Sequence, residues 1–309
     1  MPPRWLSVGI VVGWLATMGW LFWHDLWPSW RPGDPPRFSI DLVEEVRNSD
    51  RLRTYWTVQC QKKDADPTDI FRASTWVDYR QEDDTFALHA ELKAKGKEKY
   101  SLEFPPLLKM EVESMTSTYR VNRAGQLREL ALEVKFRKAG GNQGTSTALP
   151  VQFALEGEVR GDQFHVHCRA DTPLRVQMDL PPAPVSHSAS VLLPLHPVNR
   201  IHGLRLGQSW RQPLVDPIGD AFGSLLGGGV HYLDARVLPQ PQVLQENDKD
   251  KTTCLVIEYE DEDGQFAGRT WVEQDSERVQ QQEVIRAGEL WIMKRDNPRQ
   301  RAPGIFPRR

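Results

Sequence analysis

The chain has 309 residues, a net charge of −3 at pH 7, 39% hydrophobic residues and 26% charged residues. These values are typical of a folded protein with one large domain or two smaller ones, and they exclude a disordered chain. Basic residues are not concentrated in any stretch before the C-terminal tail, so nucleic acid is not an expected partner.

The N-terminal region predicts a single membrane-spanning helix. After a short tail, residues 1–4, the nineteen residues 5–23 contain no charged side chain. At 1.5 Å per residue this helix would be about 28 Å long, close to the hydrocarbon thickness of a bilayer. Tryptophans near the ends of such a segment are typical of membrane interfaces. The membrane-anchor candidates are Trp5, Trp14, Trp20 and Trp23. We therefore expect a single-pass protein with the lipid bilayer as a partner.

A cleaved signal peptide is the main alternative, but its apolar stretch is usually about 7–15 residues long and an Ala-x-Ala site follows it. Neither feature is present here. Gly9 and Gly13 form a Gly-x-x-x-Gly pair, through which two such helices could pack closely. Residues 24–37 contain four prolines and predict a semi-rigid linker. Signal anchors with short N-terminal tails generally place the following domain outside the cytoplasm, and we expect that orientation in the cell membrane.

Residues 38–296 predict a mainly β domain. In residues 127–138, leucine, valine and phenylalanine alternate with polar or small residues, which places the apolar side chains on one face of a strand. The same two-residue period recurs in five more stretches, around Phe86, Val151, Phe164, Leu174 and Leu255. Short turns join several of them, so we expect a curved antiparallel meander, either a half-barrel or an open barrel. We divide it into two strand sets, residues 38–200 and 201–296.

One helix is predicted within the second strand set, at residues 217–226. Asp216 supplies an N-cap, Pro217 suits the first turn, and the three glycines at 227–229 end the helix. Its apolar stripe would either line a cavity for an apolar ligand or fill the core. The stripe consists of Ile218, Phe222, Leu225 and Leu226. Residues 39–47 fit a short helix or an edge strand, and the sequence leaves both open.

Two hairpins in this pattern resemble a known family. Residues 119–132 read as strand, glycine turn, strand, and residues 269–284 read as strand, charged turn, strand. With the segment 203–210 between them, the chain resembles exported bacterial domains of unknown function that are built on the lipoprotein-carrier half-barrel. The resemblance implies a curved antiparallel sheet that clasps short helices around a hydrophobic-ligand cavity, and it implies no catalytic residue. The predicted membrane helix is a departure from the carriers.

His165 and His167 form the most ligand-like cluster, because two histidines on one strand face can chelate a metal. Cys168 points to the opposite face, so surface histidines are the favoured interpretation, and no metal or other cofactor is expected. Residues 261–264 resemble part of a calcium loop but lack its alternating ligands, which favours an acidic hairpin turn. Three cysteines lie far apart in the sequence and are interpreted as buried thiols, with one disulfide as the alternative. They are Cys60, Cys168 and Cys254.

From these features we expect a membrane-anchored, non-enzymatic envelope protein that binds an apolar ligand, a lipid or a protein partner. The alternative is an envelope hydrolase or other enzyme whose active site is assembled from separate strands. No catalytic motif identifies residues for such a site. Residues 297–309 contain four arginines and three prolines and predict a disordered tail.

Overall fold

The computed structural model describes residues 13–20, 43, 46, 53–62, 65–95, 100–104, 108–123, 125–138, 151–171, 175–184, 199–214, 231–247, 250–286 and 288–296. Most of these residues lie in β-strands, and every pair of neighbouring strands is antiparallel. The protein is therefore mainly β, as the sequence predicts.

The strands form where apolar and polar residues alternate, and residues 127–138 illustrate the cause. Leucine, valine and phenylalanine at positions 130, 132, 134 and 136 are buried, whereas residues 131, 133, 135 and 137 are partly or fully exposed. Burial of one such side chain contributes about 1.5–3 kcal/mol. A shift of register by one residue would lose all four contributions together. The predicted strand at 127–138 is confirmed.

In the part of the chain that the structure describes, seventeen strands form one sheet, which we divide into two wings. The first wing contains β1 (Thr54–Gln61), β2 (Thr68–Arg80), β3 (Thr85–Ala94), β4 (Ser101–Phe104), β5 (Leu108–Asn122), β6 (Leu127–Lys138), β7 (Val151–Arg160), β8 (Gln163–Asp171), β9 (Val176–Asp179) and β10 (Ala183–Pro184). The second wing contains β11 (Ser209–Leu214), β12 (His231–Val237), β13 (Gln242–Asn247), β14 (Asp250–Glu260), β15 (Phe266–Glu273), β16 (Val279–Arg286) and β17 (Glu289–Arg295). Pairing of β1 with β17 joins the wings.

Most strands pair with the next strand in the sequence. In three places two strands pair with the same edge of a third strand. These pairs are β3 and β4 on β5, β9 and β10 on β8, and β12 and β13 on β14. Among the described residues, the strand order ends in β11 at one side and in β9 with β10 at the other, and β4 and β13 each pair with one strand only. Each end of the order contains a proline, Pro213 in β11 and Pro184 in β10. Proline cannot donate a ladder hydrogen bond, so at these two positions the outermost strands offer no N–H group to another chain.

The sheet curves, and its two wings share one core on the inner face. The inner cluster includes Trp56 of β1, Leu155 of β7, Trp210 of β11 and Ile257 of β14. A flat sheet of this width, at about 4.8 Å per strand, would place its outermost strands roughly 60 Å apart with both faces in water. These four side chains are instead at most 1% exposed. The predicted curved antiparallel sheet is confirmed in its open form.

Few of the described residues are helical. Residues 13–20 are helical and all eight are exposed. Within the described ranges, no helix has both the length and the apolar character needed to cross a bilayer. Val43 and Val46 are helical and pack against the core, in agreement with the helical alternative for residues 39–47 at these two positions. The rest of the predicted span 5–23, the linker 24–37, the predicted helix 217–226 and the tail 297–309 lie outside the described residues.

Candidate functional site

The inner face of the sheet, where the sequence predicts a cavity for an apolar ligand, is filled over most of its described area by the protein's own side chains. The largest of these are less than 2% exposed and include Trp56, Phe86, Leu92 and Trp210. Apolar side chains are exposed at the edge strand β9, where Val176 and Met178 face inward opposite Ala170 and Cys168. This edge therefore offers two adjacent accessible apolar side chains on the inner face.

A short segment, Asn199–Gly203, lies against the turn between β15 and β16, and we call it the strap. The backbone N–H of Ile201 donates to the carbonyl of Glu277 at 3.0 Å, and the N–H of Val279 donates to the carbonyl of Asn199 at 3.0 Å. Ile201 is 1% exposed and belongs to the inner cluster. Arg295 donates to the Asn199 side-chain oxygen at 2.5 Å and so ties the strap to β17.

The side chain of Glu277 also binds the strap. Its carboxylate accepts a hydrogen bond from the backbone N–H of Gly203 at 3.2 Å and pairs with the imidazole of His202. Burial alone would raise the pKa of Glu277, but the hydrogen bonds from His202 and Gly203 outweigh burial and hold it below its ordinary value. Glu277 has a φ of 55°, a conformation that is uncommon for residues other than glycine.

The outer face carries a cluster in which side chains from three adjacent strands converge. His89 of β3 lies between Asp78 of β2 and Thr118 of β5, with His89 Nε2 3.3 Å from Asp78 Oδ2 and His89 Nδ1 3.0 Å from Thr118 Oγ1. We call these three residues the relay. The Trp76 ring stacks on the imidazole at a centroid distance of 4.9 Å, and its Nε1 donates to Asp78 Oδ2 at 3.2 Å. The guanidinium of Arg53 covers the Trp76 ring at 4.1 Å.

The surroundings of His89 favour one tautomer of its imidazole. The negative charge of Asp78 near Nε2 favours the tautomer with its proton on that nitrogen, and in this tautomer Nδ1 accepts from the Thr118 hydroxyl. Burial lowers the pKa of His89, and the cation of Arg53 acts in the same direction, whereas the carboxylate of Asp78 opposes them. Because the pKa is lowered overall, the imidazole is neutral at pH 7 and can act as a base.

Thr118 also lines a groove of about 880 Å³ on the outer face of β5 to β8. Ala131, which is opposite Thr118 in the ladder, leaves space beside the hydroxyl because its side chain is small. The groove contains more carboxylates than guanidinium groups. Its charged lining residues are Arg120, Glu129, Glu156, Glu158, Arg160 and Asp179. Arg120 is bound to Glu129 at 2.5 Å, and Arg160 to Glu158 at 2.9 Å.

The structure places His165 and His167 on the outer face and buries Cys168 on the inner face, as predicted. His167 Nδ1 lies 2.8 Å from Asp179 Oδ1. Within the described part of the chain, no three His, Cys, Asp or Glu side chains are arranged to hold a metal ion. The acidic turn 261–264 is held by Asp261, whose carboxylate accepts from the backbone N–H groups of residues 263 and 265. It is an ordinary hairpin turn.

All three cysteines are buried free thiols, so the favoured interpretation is confirmed over the disulfide. Burial, followed by a hydrogen bond to Glu289, raises the pKa of Cys60 to about 12. Burial likewise raises the pKa of Cys254 to about 12 and raises the pKa of Cys168. Thiols with raised pKa values are poor nucleophiles at neutral pH, so these residues pack as small apolar groups.

The other sequence-predicted residues fall in two groups. Gly13, Trp14 and Trp20 lie in the helical segment 13–20 and are exposed. Outside the described residues lie Trp5, Gly9, Trp23, Ile218, Phe222, Leu225 and Leu226.

The relay is the arrangement that sequence reasoning misses. Its members are separated by 11 and 29 positions in the sequence, and only the pairing of Trp76 with His89 and of His89 with Thr118 brings them together. A single aspartate, histidine or threonine in an alternating strand gives no signal of its own. The register of three strands would have to be known first.

Comparison with known proteins identifies no relative. No family model, no curated protein and no solved structure matches the chain.

Proposed function

We propose that this chain is a single-pass membrane protein of the cell envelope whose curved β domain lies on the extracytoplasmic side and binds a lipid or a similar apolar ligand. The observation that carries the proposal is the helical segment 13–20. Its large apolar side chains Trp14, Leu15, Met18 and Trp20 are 59%, 57%, 47% and 64% exposed. The resemblance to the lipoprotein-carrier half-barrel is the reason to expect an apolar ligand.

The exposed apolar helix favours a lipid environment on energetic grounds. Burial of one large apolar side chain is worth about 1.5–3 kcal/mol, so four exposed neighbours are unfavourable in water. Residues 13–20 lie within a longer stretch, 5–23, that has no charged residue. A bilayer would cover these side chains, and its hydrocarbon thickness matches the length that the stretch would have as a helix.

Membrane fractionation with an alkaline carbonate wash tests the tether. We expect the wild-type chain to stay in the membrane pellet and its intact mass to include residues 1–23. A double variant with Leu15→Arg and Met18→Arg should leave the pellet, because each central charge costs about 2.5–3.5 kcal/mol on insertion. The matched control, Leu15→Ile with Met18→Leu, should behave as wild type. Release of the wild-type chain by carbonate would refute the tether.

The ligand part of the proposal rests on the edge strand β9. Val176 and Met178 face the inner side and are 43% and 49% exposed, so an acyl chain could cover them without displacing the packed core. Val243 on edge strand β13 is also exposed, but β9 places two such side chains side by side, opposite Ala170 and Cys168.

Native mass spectrometry of the detergent-purified chain tests the ligand. We expect a co-purifying lipid in the wild-type chain and its loss in the double variant Val176→Ser with Met178→Ser. Gln177→Ser, on the other face of the same strand, is the control and should keep the lipid. A stable protein partner in place of a lipid would favour an assembly subunit, and either that result or an unliganded chain would overturn lipid binding.

A further inference from the structure

The outer-face relay has the geometry of a nucleophilic site. We propose that Asp78, His89 and Thr118 form the centre of an esterase, with Thr118 as the nucleophile and His89 as the general base, acting on uncharged esters of short carboxylic acids. The proposal is independent of lipid binding, because the relay lies on the outer face and β9 offers its apolar side chains on the inner face. It uses three strands, β2, β3 and β5, whose pairing holds the residues in place.

The direction of the hydrogen bonds suits proton transfer from Thr118. In the tautomer that Asp78 favours, the Thr118 hydroxyl donates to His89 Nδ1 at 3.0 Å, which is within the distance required of a nucleophile and its base. The proton on Nε2 faces Asp78 at 3.3 Å, so the carboxylate would stabilise the imidazolium that forms. Trp76 restrains the ring by stacking on it with an interplanar angle of 14°. Asp78 and Trp76 are positioning residues in this site.

The reaction needs only an ester and water. Thr118 Oγ1 attacks the carbonyl carbon while its proton passes to His89 Nδ1. The imidazolium then gives this proton to the alkoxide as the ester C–O bond breaks, leaving an alcohol and acyl-threonine. Water attacks the acyl group, gives a proton to His89, and the proton returns to Oγ1 as the carboxylic acid leaves.

The groove beside Thr118 restricts the substrate. Arg120, two residues along β5 and therefore on the same face, lines the groove with its guanidinium held by Glu129, and its other N–H groups are the candidate donors to the carbonyl oxygen in the transition state. The groove carries four carboxylates against two guanidinium groups, so it repels anionic acyl groups. Thr118 itself is partly exposed, and the small side chain of Ala131 beside it leaves room for a short acyl chain.

Hydrolysis of p-nitrophenyl acetate by the full-length chain in detergent tests the proposal. The wild-type chain should turn over the ester, and peptide mass spectrometry of quenched reactions should find acetyl on Thr118. Thr118→Val should abolish the acetylated peptide and Thr118→Ser should retain activity. Thr116→Val, an exposed hydroxyl on the same face of β5 that does not line the groove, is the control and should retain activity. Equal rates in wild type and Thr118→Val, with acetyl found elsewhere, would overturn the proposal.

Two further variants separate chemistry from structure. His89→Gln keeps a polar group of similar reach and should lower kcat by about 10²-fold or more, the usual contribution of a general base. Asp78→Asn should lower kcat with KM unchanged and should shift the acidic limb of the pH profile, which a purely structural role would leave in place. An unchanged kcat in His89→Gln, with normal folding by circular dichroism, would contradict the assignment.

Discussion

At the scale of single residues, close packing across the first wing depends on glycine at position 157. A Cβ atom built there would lie 2.3 Å from the ring of Phe164, which covers this position from the next strand. We expect Gly157→Ala to lower the free energy of unfolding by about 1–3 kcal/mol, the usual cost of overpacking. Urea denaturation measures the loss. The clash involves a side chain, so Gly157→Ala combined with Phe164→Leu should recover part of it.

Gly268 differs from Gly157, because a side chain at this position would clash with backbone and no second substitution could relieve the clash. Its Cβ atom would lie 2.4 Å from the backbone carbonyl oxygen of Glu283. Backbone atoms cannot move without disturbing the β15 to β16 ladder, so Gly268→Ala should be destabilising by a similar amount or more. A Gly268→Ala chain with wild-type stability would show that the two strands separate more easily than their pairing implies.

His89 gives the protein a defined sensitivity to acid. Its pKa in the folded state is lowered, chiefly by burial, below the ordinary value of about 6.5. As pH falls below about 6.5, the unfolded chain therefore binds this proton before the folded chain does, and stability decreases until the folded-state pKa is passed. Urea denaturation at pH 7.5 and pH 5.5 should show a smaller decrease for His89→Gln than for wild type, and an equal decrease would contradict this assignment.

The thiols permit a simple check of the core. Cys60, Cys168 and Cys254 are buried and have raised pKa values, so a thiol reagent should modify none of them at neutral pH in the folded chain. The denatured chain should react at all three. Mass spectrometry counts the labels. Rapid labelling of Cys168 alone would indicate that the β8 to β9 edge opens locally.

At the scale of elements, the strap depends on Glu277. Glu277→Ala removes the acceptor for Gly203 and the partner of His202, and we expect a loss of about 1 kcal/mol at pH 7, since the pair is partly exposed to solvent. The lowered pKa of Glu277 means that this contribution is present above the ordinary glutamate pKa and is lost as pH falls through the folded-state value. The difference between wild type and variant should therefore shrink in strong acid.

Asp275→Ala is the control for this prediction, because Asp275 lies in the same turn and is exposed. It should have little effect on urea denaturation at any pH. A loss in Asp275→Ala as large as in Glu277→Ala would attribute the effect to the turn and not to the strap.

Elements with one buried face could be predicted from the sequence, and others could not. Strand β6 shows the two-residue period because its inner side chains are covered along their whole length. Strand β9 was predicted from the same period around residues 174–180, yet Val176 and Met178 are exposed because the edge leaves them uncovered. Alternation indicates which residues share a face. It does not indicate how much of that face is covered or which strands pair with each other. The relay could not be predicted because it depends on the pairing of three strands.

At the scale of the whole molecule, the last strand closes the structure. β17 pairs with both β16 and β1 and contributes the buried residues Trp291 and Met293 to the shared core. We expect a chain that ends at residue 286 to lose cooperative unfolding, measured by circular dichroism on heating. A chain that ends at Asp296 should unfold as the full-length chain does, because Asp296 keeps its hydrogen bonds to Thr57 and Arg72. Cooperative unfolding of the shorter chain would show that each wing is stable alone.

The join between the wings also sets the order in which the molecule can form. Thr57 and Asp296, which are hydrogen-bonded at the join, are 239 positions apart in the chain. Most other strand pairs are local hairpins that can assemble as soon as their residues leave the ribosome or a translocation pore. β1 must therefore keep one unpaired edge until β17 has been synthesised. During that interval the nascent chain is exposed to mispairing with its neighbours, and maturation ends in a late, slow docking step.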